Sequence, residues 1–214
     1  MKKKPKISII NYGVGNLRSL IRAFEYFGSD IAITEEAQKV RESDAIVLPG
    51  DGAFAAGMEG LAVRNLTNAV LDLAKAQKPI LGICLGAQIL LSTSFEFGKY
   101  TGLSLVKGRV VKFPQLEGGE KVPQMGWNSI YPPKGKRWKN TILDKIKLDS
   151  SVYFVHSYII EPADKKDILA LSNYGRHEFC SVITKGNIYG CQFHPEKSGK
   201  VGLLIINNFI KIVG

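Results

Sequence analysis

Cysteine is scarce in this chain. Cys84, Cys180 and Cys191 are the only three in 214 residues, too few for a disulfide framework, and no two stand at the CxxC spacing of a structural zinc site. Free thiols fit a reducing compartment, and no metal or other cofactor is expected. Long apolar runs are also missing. The longest uncharged stretch, residues 79–95, has 17 residues broken by Gly, Cys, Gln, Ser and Thr, short of the roughly 20 apolar residues a membrane span needs. At the N-terminus the basic start Met1 to Lys6 meets only Ile7 to Ile10 before Asn11, too short a hydrophobic segment for a secretory signal, so the expected location is the cytoplasm. Acidic residues are in deficit, with 29 Lys+Arg against 19 Asp+Glu and a net charge of +10. The excess is local: four lysines fall in the first six residues, and residues 107–147 hold ten basic against three acidic residues. No nucleic-acid motif accompanies that patch, so it reads as a face for an acidic partner or phosphorylated substrate, and no nucleic-acid function is expected.

What is present is an ordinary globular composition, 45% hydrophobic and 22% charged with 22 glycines, in a chain long enough to bury its own core. Residues 6–11 (KISIIN) read as a strand stopping at Gly13-Val14-Gly15, followed by Leu17, Leu20, Ile21, Phe24 and Phe27 at helical spacing. The pattern repeats: strands at 31–34 and 44–48, a turn at Pro49-Gly50-Asp51-Gly52, one helix reaching about Ala76, a strand at 79–84 and a helix near 86–94. Such alternation means βαβ units and a mostly parallel sheet. The second half reads as strands at 105–113, 122–130, 152–160, 168–174, 179–184 and 187–193, closed by a helix over 201–210, with 131–151 as a surface excursion. The expectation is a single α/β domain over 1–214: a mostly parallel central sheet flanked by helices, with an antiparallel β extension.

Gly82-Ile83-Cys84-Leu85-Gly86 lies between an apolar strand and a helix, the context of a nucleophile elbow with Cys in place of Ser. The small residues allow the strained turn, and a thiol at a helix N-terminus is favoured as thiolate. Taken alone, GxCxG more often marks a buried structural cysteine of an α/β core. The second block is Gln192-Phe193-His194-Pro195-Glu196-Lys197-Ser198. Were it extended, His194 and Glu196 would share a face, and a carboxylate beside an imidazole fixes its tautomer for general base and acid work. Cys84, His194 and Glu196 make a complete set. Of the other histidines, His177 sits in a polar Gly175-Arg176-His177-Glu178 turn and is read as surface. Acyl transfer also needs oxyanion donors, available at the Leu85 N–H and the Gly50-Asp51-Gly52 turn, both at strand carboxyl ends.

With these blocks in family order, the sequence resembles the class I glutamine amidotransferases. Asn11-Tyr12-Gly13-Val14-Gly15-Asn16-Leu17, Pro49 to Phe54, Leu81 to Gln88, Gln124-Met125-Gly126-Trp127-Asn128, Tyr153 to Tyr158 and Gln192 to Ser198 carry the likeness across almost the whole chain. The GVGN, MGWN and FVHSY blocks resemble in particular the HisH family, the glutaminase subunits of imidazole glycerol phosphate synthase. The resemblance implies that Cys84 attacks the side-chain amide of glutamine, His194 passes the proton to departing ammonia, and a glutamyl thioester is hydrolysed. It also implies that Gln88 and His156-Ser157-Tyr158 hold the glutamine, while Asn16, Trp127 and Lys197 lie toward the partner. With no room for a synthase domain after Gly214, the ammonia is expected to pass to a separate HisF-type cyclase subunit in a heterodimer. That subunit makes imidazole glycerol phosphate and AICAR in histidine biosynthesis.

Two residues depart from the family pattern. Asp51 stands where an aliphatic residue is usual, and a carboxylate beside a developing oxyanion is unfavourable unless turned away or paired. Gln124 stands where His is common. With the basic stretch, these leave open a paralogue supplying ammonia to a HisF-like partner for amidination of a surface-polysaccharide sugar. A Cys-elbow hydrolase or chaperone of similar layout and a catalytically silent subunit are the remaining alternatives.

Overall fold

The computed structural model describes residues 4–214, so the first three residues of the lysine-rich start lie outside it. The first half is the expected alternation: β1 (Lys6–Ile10), α1 (Leu17–Glu25), β2 (Asp30–Thr34), α2 (Ala37–Arg41), β3 (Ala45–Leu48), α3 (Phe54–Val63), α4 (Leu66–Lys75), β4 (Ile80–Ile83) and α5 (Leu85–Ile89). After β5 (Thr93–Ser94) and β6 (Tyr100–Thr101) come β7 (Gly108–Lys112), β8 (Gln124–Ile130), β9 (Ser150–His156), β10 (Tyr158–Pro162), β11 (Ile168–Tyr174), β12 (His177–Lys185), β13 (Ile188–Cys191) and α6 (Gly199–Val213). The main sheet runs β2-β1-β3-β4-β13-β12-β10-β7-β5-β6, with β11 on β12, and β8 and β9 form a separate pair. From β2 to β13 all pairings are parallel, and beyond β13 they turn mainly antiparallel. This is the expected α/β domain with its antiparallel extension. Strands β3 and β4 are buried along their whole length, as a parallel sheet covered on both faces requires.

Several boundaries differ from the sequence reading. The single helix expected up to Ala76 is two, because Asn65 takes a left-handed conformation (φ 56°) between α3 and α4. The strand expected over 152–160 breaks at Ser157, so that β9 pairs with β8 while β10 joins the main sheet. The helix after the elbow ends at Ile89, because the chain turns there into β5. The strand expected from Leu105 begins at Gly108, whose φ of 152° and close approach to the Glu161 carbonyl leave no room for a side chain. The excursion 131–151 is anchored rather than peripheral. Trp138, Ile142 and Leu143 are buried, Trp138 donates to the Leu169 carbonyl at 2.9 Å, and Asn208 of α6 donates to the carbonyls of Ile142 and Asp144. Helix α2 and the short strands β5 and β6 had no readable signal. Among the described residues no helix is long and apolar enough to cross a membrane, and no group of three or more His, Cys, Asp or Glu is placed to hold a metal ion.

Candidate active site

Cys84 follows β4 directly and precedes α5, with φ 51° and ψ −106°. An L-residue rarely adopts such a conformation, and it is held because the surroundings over-determine it. Its amide donates to the Cys191 carbonyl at 2.7 Å, extending the β4–β13 ladder one step. Two glycines make room: a Cβ on Gly86 would lie 1.8 Å from the Leu48 carbonyl oxygen, and one on Gly82 would lie 2.5 Å from the Gly86 carbonyl oxygen. Gly50 is tied to the same point, since a Cβ there would meet Leu85 at 2.8 Å. The elbow and the Pro49–Gly52 turn are therefore packed together, and Tyr12 holds the turn by donating its hydroxyl to the Pro49 carbonyl. The Leu85 amide opens α5 and has no intrahelical carbonyl to bond. Gly52 has φ 118° and nothing crowding its Cβ position, so glycine is required there for conformation alone.

His194 and Glu196 meet by a different route from the one expected. The chain leaves the sheet after Cys191, and residues Pro195–Lys197 form a 3₁₀ turn, so the pair is brought together by that turn rather than by strand alternation. The His194 amide donates to the Tyr153 carbonyl at 2.9 Å. Ser198 clamps the turn, its hydroxyl donating to the His194 carbonyl at 2.6 Å and accepting from the Tyr153 amide at 2.9 Å. Nδ1 of His194 lies 2.8 Å from Glu196 Oε1, with the side chains 3% and 6% exposed. Burial alone would depress the His194 pKa, but the neighbouring Cys84 sulfur and the hydrogen-bonded Glu196 carboxylate override it and raise the value to about 10. Nε2 is buried and has no hydrogen-bond partner among the described residues. The other two cysteines, Cys180 and Cys191, lie outside the elbow turn. Both are buried, and burial pushes their thiols far up.

Cys84, only 7% exposed, opens into a cavity of about 450 Å³ that Asp51, Gly52, Gln88, His156, Ser157 and Tyr158 also border. Gln88 is held with its Nε2 donating to the Tyr158 carbonyl at 3.2 Å and to Gln192 Oε1 at 3.4 Å. His156 lies among Phe113, Phe154 and Phe179. Its Nδ1 is 2.9 Å from the Tyr158 carbonyl oxygen and its Nε2 is 3.1 Å from Gln124 Oε1. Burial lowers its pKa to about 4, so it is a neutral ring. With Nδ1–H donating to Tyr158, Nε2 is an acceptor, so the Gln124 side-chain amide pairs with it when rotated by half a turn to bring Nε2 of Gln124 into the place of Oε1.

Three residues beside the thiol or in its cavity carried no separate signal in the sequence. Gln192 is fully buried, with Nε2 3.9 Å from Cys84 Sγ; it stood inside the quoted block without a role. Glu96 and Lys112 border the cavity, and Glu96 also accepts the Phe54 amide at 2.5 Å, at the start of α3. Nothing in their local sequence marks them, because only the fold brings residues 96 and 112 to Cys84. His177, read as surface, is half-buried: its ring centroid is 5.9 Å from that of Phe113 and its Nε2 is enclosed. The hairpin β11–β12 folds back over Phe113, which a polar turn does not reveal.

The expected partner-facing residues lie near one another. Trp127, which without the resemblance would pass for core, is 59% exposed and packs edge-on to Tyr153 at 6.0 Å. Its ring comes within 4.0 Å of a Cβ position on Gly199, two residues after exposed Lys197. Asn16, also exposed, borders a small cavity with Glu196.

The chain matches the family model "Glutamine amidotransferase class-I" over residues 8–212. It is 46% identical over 210 residues to "Imidazole glycerol phosphate synthase subunit HisH 1" of Legionella pneumophila (strain Paris), covering 96% of this chain and 99% of that protein. It is 44% identical over 207 residues to "Imidazole glycerol phosphate synthase subunit HisH" of Archaeoglobus fulgidus, covering 97% and 98%. Among solved structures, that of PurLQS from Thermotoga maritima superposes with a TM-score of 0.71 at 17% identity, covering 99% of this chain and 100% of that one, a likeness of fold.

Proposed function

The chain belongs to the class I glutamine amidotransferases, in the HisH family of imidazole glycerol phosphate synthase subunits, and from that premise we propose that Cys84, His194 and Glu196 hydrolyse glutamine to supply ammonia to a HisF-type cyclase subunit in histidine biosynthesis. The observation that carries this reading is the strained Cys84 elbow on the floor of a 450 Å³ cavity, with an imidazole of raised pKa beside it and a buried carboxylate behind.

The chemistry follows from the geometry. The Cys84 thiol passes its proton to His194 Nε2 as the sulfur adds to the side-chain carboxamide carbon of glutamine, and the carbonyl oxygen becomes an oxyanion beside the Leu85 amide and the Gly50–Gly52 turn. When the carbon–nitrogen bond breaks, its electron pair stays on nitrogen, which takes the proton from His194 Nε2 and leaves as ammonia. Glu196 holds the ring by Nδ1 and stabilises its charged form throughout. Water then adds to the γ-glutamyl thioester with His194 as base, releasing glutamate and restoring Cys84. The cavity carries charges of both signs, from Glu96, Asp51 and Lys112, as an α-amino acid with its ammonium and carboxylate requires. Gln88 and the Ser157–Tyr158 backbone complete its walls, and the neutral His156 contributes its ring face because both its nitrogens are engaged. Asn16, Trp127 and Lys197 face the cyclase, which receives ammonia before it equilibrates with water.

The test is glutamate release by the purified chain, alone and with a HisF-type cyclase and its nucleotide ligand, with Cys84→Ala as control. Strong stimulation lost in the variant is the expected result. Cys84-dependent activity indifferent to that cyclase would overturn the assigned pathway, and no release under any condition would overturn the glutaminase assignment.

A further inference from the structure

The Cys84 sulfur has two hydrogen-bond partners among the described residues, the Val155 carbonyl at 3.8 Å and Gln192 Nε2 at 3.9 Å. They act in opposite senses. A carbonyl only accepts, so it favours the sulfur with its proton, whereas a side-chain amide nitrogen only donates and favours the sulfur without it. We propose that Gln192 is a further catalytic residue of the glutaminase reaction, donating to the Cys84 sulfur as that atom becomes an anion, and that Gln88 locks its amide in the donating orientation. The proposal rests on the glutaminase reading for its purpose, while the contact itself stands on the geometry of this chain.

The backbone pins Gln192 beside the nucleophile. It follows β13 directly, its own amide donates to the Ser181 carbonyl at 2.9 Å, and the carbonyl before it, that of Cys191, accepts the Cys84 amide at 2.7 Å. Gln192 therefore stands one step beyond the parallel β4–β13 ladder, next to Cys84, with its side chain fully buried. A buried carboxamide has to place both of its ends. Here a fixed acceptor decides which end goes where. The Tyr158 carbonyl cannot donate, so Gln88 turns its nitrogen toward it at 3.2 Å, and the same nitrogen reaches Gln192 Oε1 at 3.4 Å. With Oε1 taken by Gln88, Gln192 has its nitrogen left for the sulfur. Flipping the Gln88 amide would set oxygen against oxygen, and flipping that of Gln192 would set nitrogen against nitrogen.

Gln88 also borders the substrate cavity. The series Tyr158, Gln88, Gln192, Cys84 thus joins the wall that holds glutamine to the atom that attacks it. When His194 takes the thiol proton, charge on the sulfur polarises the two amides in turn and strengthens each bond of the series. His194 accounts for where the proton goes, and Gln192 for the charge left behind.

The test is alkylation of Cys84 by iodoacetamide across pH, in the full chain without glutamine, read by mass spectrometry of the peptide that carries Cys84. Gln192→Met keeps an unbranched side chain of similar length and has no N–H to donate. Its alkylation is expected to slow by about tenfold near neutral pH, with the midpoint of the profile displaced upward by about one pH unit. Gln88→Met leaves Gln192 in place but removes the group that orients it, and is expected to displace the profile in the same direction by less. The titratable groups around the sulfur and its cavity are His194 with Glu196, Tyr12, Asp51, Glu96 and Lys112, beside the neutral His156. Both variants keep all of them, so the displacement reads the amide. An unmoved profile in folded Gln192→Met would overturn the proposal and leave the glutaminase reading intact. Should that variant not fold, an unmoved profile in Gln88→Met overturns it equally. Displaced profiles alongside a wild type that releases no glutamate, even with the cyclase present, would overturn the glutaminase reading instead.

Discussion

The neutral, buried His156 makes a measurable demand on stability in acid. Its pKa falls from 6.5 to about 4, first because burial among aromatic rings penalises the cation, opposed by its bond to Tyr158 and assisted by the charge of His194. Folding therefore holds fewer protons than the unfolded chain between those two values. The contribution is fully present above 6.5, is lost as pH falls toward 4, and saturates below that. Between about pH 7.5 and about pH 5 the linkage amounts to about 2 kcal/mol, and complete protonation costs about 3 kcal/mol. For a chain of this size 2 kcal/mol is a drop of roughly 4–8 °C in Tm. His194 works in the opposite sense. Raised to about 10, it contributes stability that is fully present below 6.5 and fades as pH rises toward 10, so raw stability curves mix the two. Comparison with His156→Gln separates them, because the variant keeps His194 and removes only the acid-sensitive ring. Urea unfolding of both proteins at the two pH values is the assay. The wild type is expected to lose about 2 kcal/mol more than the variant on acidification. Equal losses in the two proteins would refute the assignment of His156 as a buried neutral ring.

Glu196→Gln keeps a hydrogen-bond acceptor for His194 Nδ1 and removes the charge, so the His194 pKa is expected to fall below its present value near 10. Glutamate release should drop by roughly ten- to a hundredfold in kcat, with the pH–rate profile shifted to lower pH. Gly86→Ala forces a methyl to 1.8 Å from the Leu48 carbonyl oxygen. Backbone must move, and a loss of about 1–3 kcal/mol on denaturant unfolding, with loss of thiol alkylation at Cys84, is expected. Trp127→Ala touches little of the core, so stability should stay within about 0.5 kcal/mol, whereas affinity for the cyclase should fall by more than about fivefold in titration calorimetry.

The elbow was legible because such a turn demands small residues at fixed offsets from the thiol, and Gly82-Ile83-Cys84-Leu85-Gly86 has them between a strand and a helix. The parallel half of the fold was legible for a similar reason: fully buried strands and helical apolar spacing are local patterns. The His194–Glu196 pair was visible as two residues close in sequence, yet its geometry was misread, since a 3₁₀ turn clamped by Ser198 to β9 replaces the extended chain. Ser157 likewise hid the break between β9 and β10, because both halves carry the same β-branched and aromatic pattern and only pairing with different partners separates them.

What the sequence by itself determined is therefore the chemistry that depends on neighbours along the chain: the elbow, the imidazole with its carboxylate, and the glycine turn. Only the tertiary structure decided what lies across from them. Gln192 reaches Cys84 and Glu96 and Lys112 reach its cavity from other strands and loops, and His156 becomes neutral because Phe113 just after β7, Phe154 of β9 and Phe179 of β12 enclose it. Burial, pairing and charge balance are properties of groups brought together in space, and no local pattern encodes them.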